Sequence, residues 1–401
     1  MCKKRKYLHY YKKYRILIKY CAKIISMPIE ATIILMVIVF ALVCAPFVIM
    51  IISRALKKHH MNETVAARTG DLVHYAFILN PSKPQAEQYR KTIKEYCQSH
   101  EMQYEIIDTL LNKDGRECAL EALKHGADVV VAVGGDGTVR TVASAMSGTE
   151  HAMGIIPIGT GNLFARNMGI PVDDAYAALQ VATSHGSLRV DMGRVTILDK
   201  PYEDHGHAFL IIAGIGFDAL MIDDTNPSLK KNISWLAYFV SGVKHLFAPK
   251  YKGNVIFTQI DGTKSSKKEI SFRTLMSGNC GQIPMFSLMP EASYDDGILD
   301  FEIIDTTGGL IGWANLFGDV VHQTLTGKAQ QSPLSTNSKI EQLQGLEAEV
   351  LLERSAPVQV DGDILGYTKH LRFSVDKQAL CVRVPESLES SVSQNTTAVA
   401  K

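Results

Sequence analysis

Short apolar runs alternate with stretches of helical period between residues 73 and 187. The run LVHYAFILN predicts a strand ending at Asn80-Pro81, and Gln85–His100 carries a helical pattern. A second strand is expected near Gln103–Ile107 and a second helix around Gly115–Gly126. ADVVVAV follows, apolar throughout, as a strand buried on both faces of a parallel sheet is. Then come GGDGT, a helix over Val139–Met146, the short strand GIIPI and a helix over Leu163–Asn167. Strand and helix in alternation, with short glycine-rich turns, predict an open α/β domain.

From 188 to 385 the pattern turns to alternating or β-rich runs. They lie at Leu188–Leu198, Ala208–Ile215, Asn254–Gln259, Glu269–Met276, Ile298–Ile304, Glu347–Leu352, Val358–Val360, Leu371–Val375 and Leu380–Val384. A mainly antiparallel β-sandwich domain is expected, with helices at Ile233–Phe247 and Gly309–Leu325. Residues 386–401, rich in Ser and Thr, are expected to be a disordered tail. Ahead of the α/β domain, 54–72 make a polar linker. Residues 29–53 include the charge-free run Ala31 to Ile52, long enough for a membrane-anchoring helix.

With 401 residues the chain has room for two domains and an appendage. A hydrophobic share of 46% and a charged share of 21% exclude a disordered protein. The net charge of +1 gives no global field for nucleic acid. It conceals a local asymmetry, because residues 1–28 hold nine Lys/Arg and no Asp or Glu. Tyr7, Tyr10, Tyr11, Tyr14 and Tyr20 interleave with those cations, which suits a helix at the headgroup level of an anionic membrane. A disordered basic tail is the plainer alternative. Seven scattered cysteines without a C-x-x-C pair fit packed thiols in a reducing compartment.

The chemistry lies at strand ends. Gly134-Gly135-Asp136-Gly137-Thr138 follows a buried strand and opens a helix, at the carboxyl edge where open sheets bind ligands. Glycines let backbone approach phosphate oxygens, and a helix N-terminus adds free N–H groups. The carboxylate of Asp136 suits such a place when Mg²⁺ lies between it and the phosphates. Pro157-Ile158-Gly159-Thr160-Gly161-Asn162 ends the next strand, with hydroxyl and amide for phosphate or ribose. Asn80-Pro81-Ser82-Lys83 adds a cation at a third strand end. The three together are a strong signal for phosphate chemistry.

These motifs resemble the diacylglycerol kinase catalytic family, which includes bacterial diacylglycerol kinases, YegS-type lipid kinases and sphingosine kinases. The match covers about 73–385 in family order. It continues through RVDMGRV at 189–195, AGIGFDA at 213–219, ASYDDGILD at 292–300 and VDGD at 360–363. The resemblance implies a phosphofructokinase- or NAD-kinase-like nucleotide domain. In it Asn80, Pro81, Ser82, Lys83, Gly134, Gly135, Asp136, Gly137, Thr138, Val139, Thr160, Gly161 and Asn162 hold ATP and its Mg²⁺. Arg140 and Thr141 line the same turn, and Thr109 is a further nucleotide contact. A second Mg²⁺ would fall on Asp296, with Ser293 and the Ile298 carbonyl beside it. The family's catalytic base is the last residue of an Asp-Gly-Glu triplet, and this chain has Asp361-Gly362-Asp363 there. Asp363 is thus the expected base, one methylene short. Diacylglycerol is the expected acceptor, and a homodimer stays open.

Two alternatives remain. GGDGT also occurs in kinases of soluble substrates, and the Asp363 departure leaves room for a silent lipid-binding protein. The membrane segment also poses a topology problem. The cations would keep 1–28 in the cytosol and send the body outside, whereas ATP chemistry needs the body in the cytosol. Either a single span with an external N-terminus or a re-entrant hairpin bent at Pro46 resolves this, with a buried helix as a third reading, and the hairpin is preferred because both flanks are basic.

Overall fold

The computed structural model describes residues 73–159, 161–200, 206–216, 219, 250–280, 289, 292–305 and 339–389. Four parallel strands open the fold: β1 (His74–Leu79), β2 (Gln103–Asp108), β3 (Val129–Gly134) and β4 (Ala152–Pro157). Every residue of β3 and β4 is buried, which is why those runs read as continuously apolar. The connecting helices are α1 (Ala86–Ser99), α2 (Gly115–Lys124), α3 (Asp136–Met146), α4 (Leu163–Asn167) and α5 (Ala175–Thr183). Asp114 caps α2 by accepting from the Arg116 and Glu117 amides, and Asp174 caps α5 through Ala177. The strands lie in the order β4-β3-β1-β2, so the connections diverge between β1 and β3. A crevice opens at that point on the carboxyl edge.

The remaining strands are mostly antiparallel: β5 (Ser187–Ile197), β6 (His207–Phe209), β7 (Ile212–Gly216), β8 (Tyr251–Thr258), β9 (Lys264–Phe272), β10 (Thr274–Gly278), β11 (Leu299–Asp305), β12 (Lys339–Gly345), β13 (Glu347–Val360) and β14 (Asp363–Arg383). The first half of β13 pairs with β8 and its last residues pair with β7. A register shift between Leu351 and Ala356 marks the change, so one strand serves two layers, as corner strands do. Between the layers Phe301 packs edge-on against Phe257 at 5.6 Å and Phe373 at 6.3 Å. β14 goes further. Its end pairs in parallel with β4 through Cys381 and Val382, joining the α/β part and the β-rich part in one fourteen-stranded sheet.

The β13–β14 connection positions the chemistry. Val360 pairs with Asp363, leaving Asp361 and Gly362 as a two-residue turn with φ of 45° and 87°. Positive φ at both central residues is the type I′ arrangement, whose twist matches the strands it joins. The Asp361 carboxylate is buried and accepts from the amides of Leu210 (2.7 Å), Ile211 (2.9 Å) and Ile212 (3.0 Å). Burial pushes that carboxyl up to about 6, against the opposing pull of the amides and Arg140.

Several boundaries differ from the sequence expectations. The helix expected at Val139 begins at Asp136, because the glycines before it are themselves the turn. The run Leu371–Val384 is one strand with an irregularity between Asp376 and Leu380 rather than two. Ala208–Ile215 is broken at Leu210–Ile211, where the amides turn to Asp361 instead of a neighbouring strand. Helix α5 and strand β12 carried no recognised signal. α5 is apolar enough to lie against β4, and β12 alternates without the usual branched residues. The expectation of a membrane-crossing helix finds no support: no described helix is long and apolar enough. The run 29–53 behind it, with Pro46, lies outside the described residues, as do 1–28, the linker and the helices expected at 233–247 and 309–325. The four described cysteines are free, and Cys97, Cys118 and Cys280 are buried.

Two stability tests follow from this packing. Asp361→Ala orphans three amides and should cost on the order of 3–5 kcal/mol in chemical denaturation. Asp363→Ala, on the same turn but exposed, should cost about 1 kcal/mol or less. The second concerns Glu302 of β11, 1% exposed opposite Met276, with Oε2 lacking a partner among the described residues. Burial pushes its carboxyl up from 4.5 to about 7. The folded state therefore binds the proton more tightly, so stability should fall as pH rises from about 4.5 and level off above about 7. Glu302→Gln should remove up to about 3 kcal/mol of that loss, appearing at pH 8 but not at pH 5. Parallel pH profiles of wild type and Glu302→Gln would contradict a buried neutral acid.

Candidate functional site

Strand ends β1, β3 and β4 bring the three phosphate-suited loops together at the crevice. The Asn80 amide donates to Val133 O at 3.0 Å, and its side-chain Nδ2 donates to Thr138 Oγ1 at 3.2 Å. Asn80 thus ties the first loop to the glycine turn. Its Oδ1 accepts from the Ser82 amide (3.0 Å) and hydroxyl (2.7 Å), folding the Pro81-Ser82 corner back and directing the chain to Lys83. A side chain on Gly135 would stand 3.3 Å from Lys83 Nζ, so the lysine already lies against the turn. No side chain caps α3 at Gly135. Its first amides remain available to an anion, with the helix dipole behind them.

Asp136 spans two loops. Its Oδ1 accepts from the Leu163 amide at 2.7 Å, and Oδ2 lies 2.7 Å from the position a Cβ on Gly161 would take. Burial raises its pKa, while the amides of Leu163, Phe164 and Asn162 hold it down. Asp136 therefore anchors the second loop, a structural duty the sequence did not reveal. The Ile158 amide donates to Gly134 O at 2.8 Å and draws the loops closer. Asn162 adopts a left-handed conformation, φ 49°, and spends its Nδ2 on Gly159 O at 2.9 Å. Thr160 lies outside the described residues.

Not every expected side chain faces this crevice. Val139 is 3% exposed and belongs to the α/β core. Thr141 bonds Thr138 O at 3.1 Å, and its hydroxyl occupies the space a side chain on Gly115 would need, so it packs α3 against α2. Thr109 ends β2, its amide on Leu79 O at 2.9 Å. That is the far side of β1 from the glycine turn. Arg166, which no expectation singled out, closes the second loop by donating Nε to Gly161 O at 2.9 Å.

The hairpin tip completes the crevice. Asp363 Oδ2 lies 2.6 Å from Arg140 Nη2, and a side chain on Gly137 would stand 3.3 Å from the same oxygen. Residues 223 positions apart in sequence meet over the glycine turn. The glycine turn, open helix end, Lys83 and Arg140 form a cradle whose donors and charges fit a nucleotide triphosphate.

The loop expected to hold a second Mg²⁺ carries hydrogen bonds of its own. Ser293 donates to Asp295 Oδ1 at 2.6 Å, and Asp296 Oδ1 accepts from the Ile298 amide at 3.1 Å. Buried Asp191 grips the loop from below, accepting from Gly297 (2.6 Å) and Gln378 (2.7 Å). Burial pushes Asp296 up to about 6, with Asp300, Asp191 and Asp295 adding to the rise. Among the described residues no three His, Cys, Asp or Glu side chains converge to hold a metal ion.

Comparison with known proteins bears on this geometry. The family model of the diacylglycerol kinase catalytic domain matches residues 74–195. A Pseudomonas aeruginosa protein named a probable lipid kinase, YegS-like, is 33% identical over 276 residues, covering 68% of this chain and 82% of that protein. A Bacillus subtilis diacylglycerol kinase is 28% identical over 232 residues, covering 57% of this chain and 72% of its own length. A crystal structure of a Bacillus anthracis diacylglycerol kinase superposes with a TM-score of 0.59 at 19% identity, covering 80% of this chain and 99% of that one. That likeness establishes the fold, an α/β part with a mixed sheet and a β-rich C-terminal part. Together with the identity to the Pseudomonas protein, it means that this chain belongs to the diacylglycerol kinase catalytic-domain family of lipid kinases.

Proposed function

We propose that the protein transfers the γ-phosphoryl group of ATP to the hydroxyl of a membrane diglyceride, giving phosphatidic acid. The observation that carries this reading is Asp363 Oδ2 above Gly137, an acceptor of protons at the turn built for phosphate. Phosphoryl transfer is largely a matter of positioning and charge, for which Mg²⁺ bound with ATP supplies neutralisation. Asn80 and the Gly134–Thr138 turn hold the phosphates, and Lys83 neutralises them. Asp363 accepts the proton of the lipid hydroxyl as its oxygen bonds to the γ-phosphorus and the bridge to the β-phosphate breaks, releasing ADP. Asp363, the first residue of β14, has its Oδ2 3.3 Å from where a Cβ on Gly137 would lie, which supports Asp in the place of the family's Glu. Residues 1–28, with their cations and tyrosines, suit recruitment to the cytosolic membrane surface, where enzyme and acceptor share one plane.

The test uses purified protein with labelled ATP and a panel of diacylglycerol, monoacylglycerol, ceramide, sphingoid base and undecaprenol. Label should pass preferentially to diacylglycerol. Transfer to another lipid alcohol would reassign the acceptor, and intact ATP binding without any transfer would favour a lipid-binding protein. Asp363→Asn should lower kcat by roughly 10²–10⁴-fold with little change in lipid binding, whereas Asp363→Glu should stay active. Full turnover by Asp363→Asn would show that the base lies elsewhere.

A further inference from the structure

The ion pair between Arg140 and Asp363 places the expected base where it cannot yet act. Arg140 stands on the second turn of α3, directly behind the amides that would receive a phosphate. Its side chain is 13% exposed, its Nη2 is 2.6 Å from Asp363 Oδ2, and its buried Nε has no partner among the described residues. Asp363, 55% exposed at the mouth of the crevice, lies over the same glycine that the terminal phosphate must approach. Two anions, carboxylate and γ-phosphate, would compete for this cation. A planar guanidinium binds phosphate in a two-pronged fashion that a single bond to Asp363 does not match. The nearby Asp361 carboxylate also feels the Arg140 charge, but its three amide bonds fix it in place, so the movable partner is Asp363.

We infer that Arg140 is a latch opened by the terminal phosphate: without it Arg140 holds Asp363, and when a triphosphate arrives Arg140 turns to the γ-phosphate and frees Asp363 for the acceptor hydroxyl. This rests on the kinase reading above and adds a coupling to it. The base becomes available only when there is a phosphoryl group to transfer, which suppresses proton abstraction in the ADP-bound or empty enzyme.

The coupling makes a prediction of sign. Binding of the β,γ-imido analogue of ATP and of ADP, each with Mg²⁺, is measured by calorimetry on the full-length protein and its variants. Asp363→Asn removes the competitor, so it should tighten the triphosphate analogue about 3- to 10-fold and leave ADP unchanged. Arg140→Met should weaken the analogue about 10- to 100-fold, again sparing ADP, in line with loss of a charge-assisted hydrogen bond. Arg140→Lys, which keeps charge without the fork and preserves the packing should the methionine variant fold poorly, should fall between. A merely structural ion pair would move both nucleotides together in both variants, and that result overturns the latch. Unchanged or weaker analogue binding by Asp363→Asn also overturns it, while the nucleotide site stands. Failure of wild type to bind either nucleotide would overturn the kinase reading itself and the latch with it.

Discussion

Three amide hydrogen bonds to one buried carboxylate hold the active architecture together. Asp361 accepts from Leu210, Ile211 and Ile212 at the point where β6 gives way to β7. Those amides would otherwise be orphaned in a buried strand break, and the carboxylate would otherwise be an isolated buried charge. Each satisfies the other, so the hairpin tip is held at its base while Asp363 projects over the glycine turn. Removing either side leaves a polar group with no solvent to fall back on, the costliest error a folded interior can contain.

The site is assembled from two directions that meet at the crevice between β1 and β3. From the α/β part come backbone amides, Lys83 and Arg140, arranged for negative charge. From the β-rich part comes the Asp363 carboxylate, paired with Arg140 over Gly137. Asp136 crosses between loops of the first part and accepts from the Leu163 amide, tying the glycine turn to the second loop. The long strand β14 links both parts, beginning at Asp363 and ending beside β4. Its end pairs with Ala152 and Met153 at the start of β4, the edge of the sheet opposite the glycine turn.

Burial raises several acids here, for different ends. Glu302 pairs across strands with Met276, and burial alone raises its carboxyl, a stability liability as pH rises. Asp361 is offset by amides and by Arg140, and its role is anchorage. Asp296 is raised by burial and by neighbouring aspartates, in the loop that Asp191 clamps. Position rather than residue type separates these roles, since all are carboxylic acids in β-rich segments.

The sequence by itself determined the order of elements from β1 to α4, because uniformly apolar strands and glycine turns are local features with strong physical signatures. It also placed three glycine-, Asn- and Thr-containing loops suited to phosphate at strand ends, because such residues allow close backbone approach. The sequence was silent on α5 and β12, whose patterns are weak, and it divided β14 because an irregularity near Asp376 interrupts the alternation. Tertiary structure alone decided that Val139 and Thr141 face packing rather than ligand, and that Asp136 anchors a neighbouring loop. It alone brought Asp363 to Arg140 across 223 residues. The reason is physical: local pattern encodes which face of an element is apolar, whereas the partner of a polar side chain is set by which distant element folds against it.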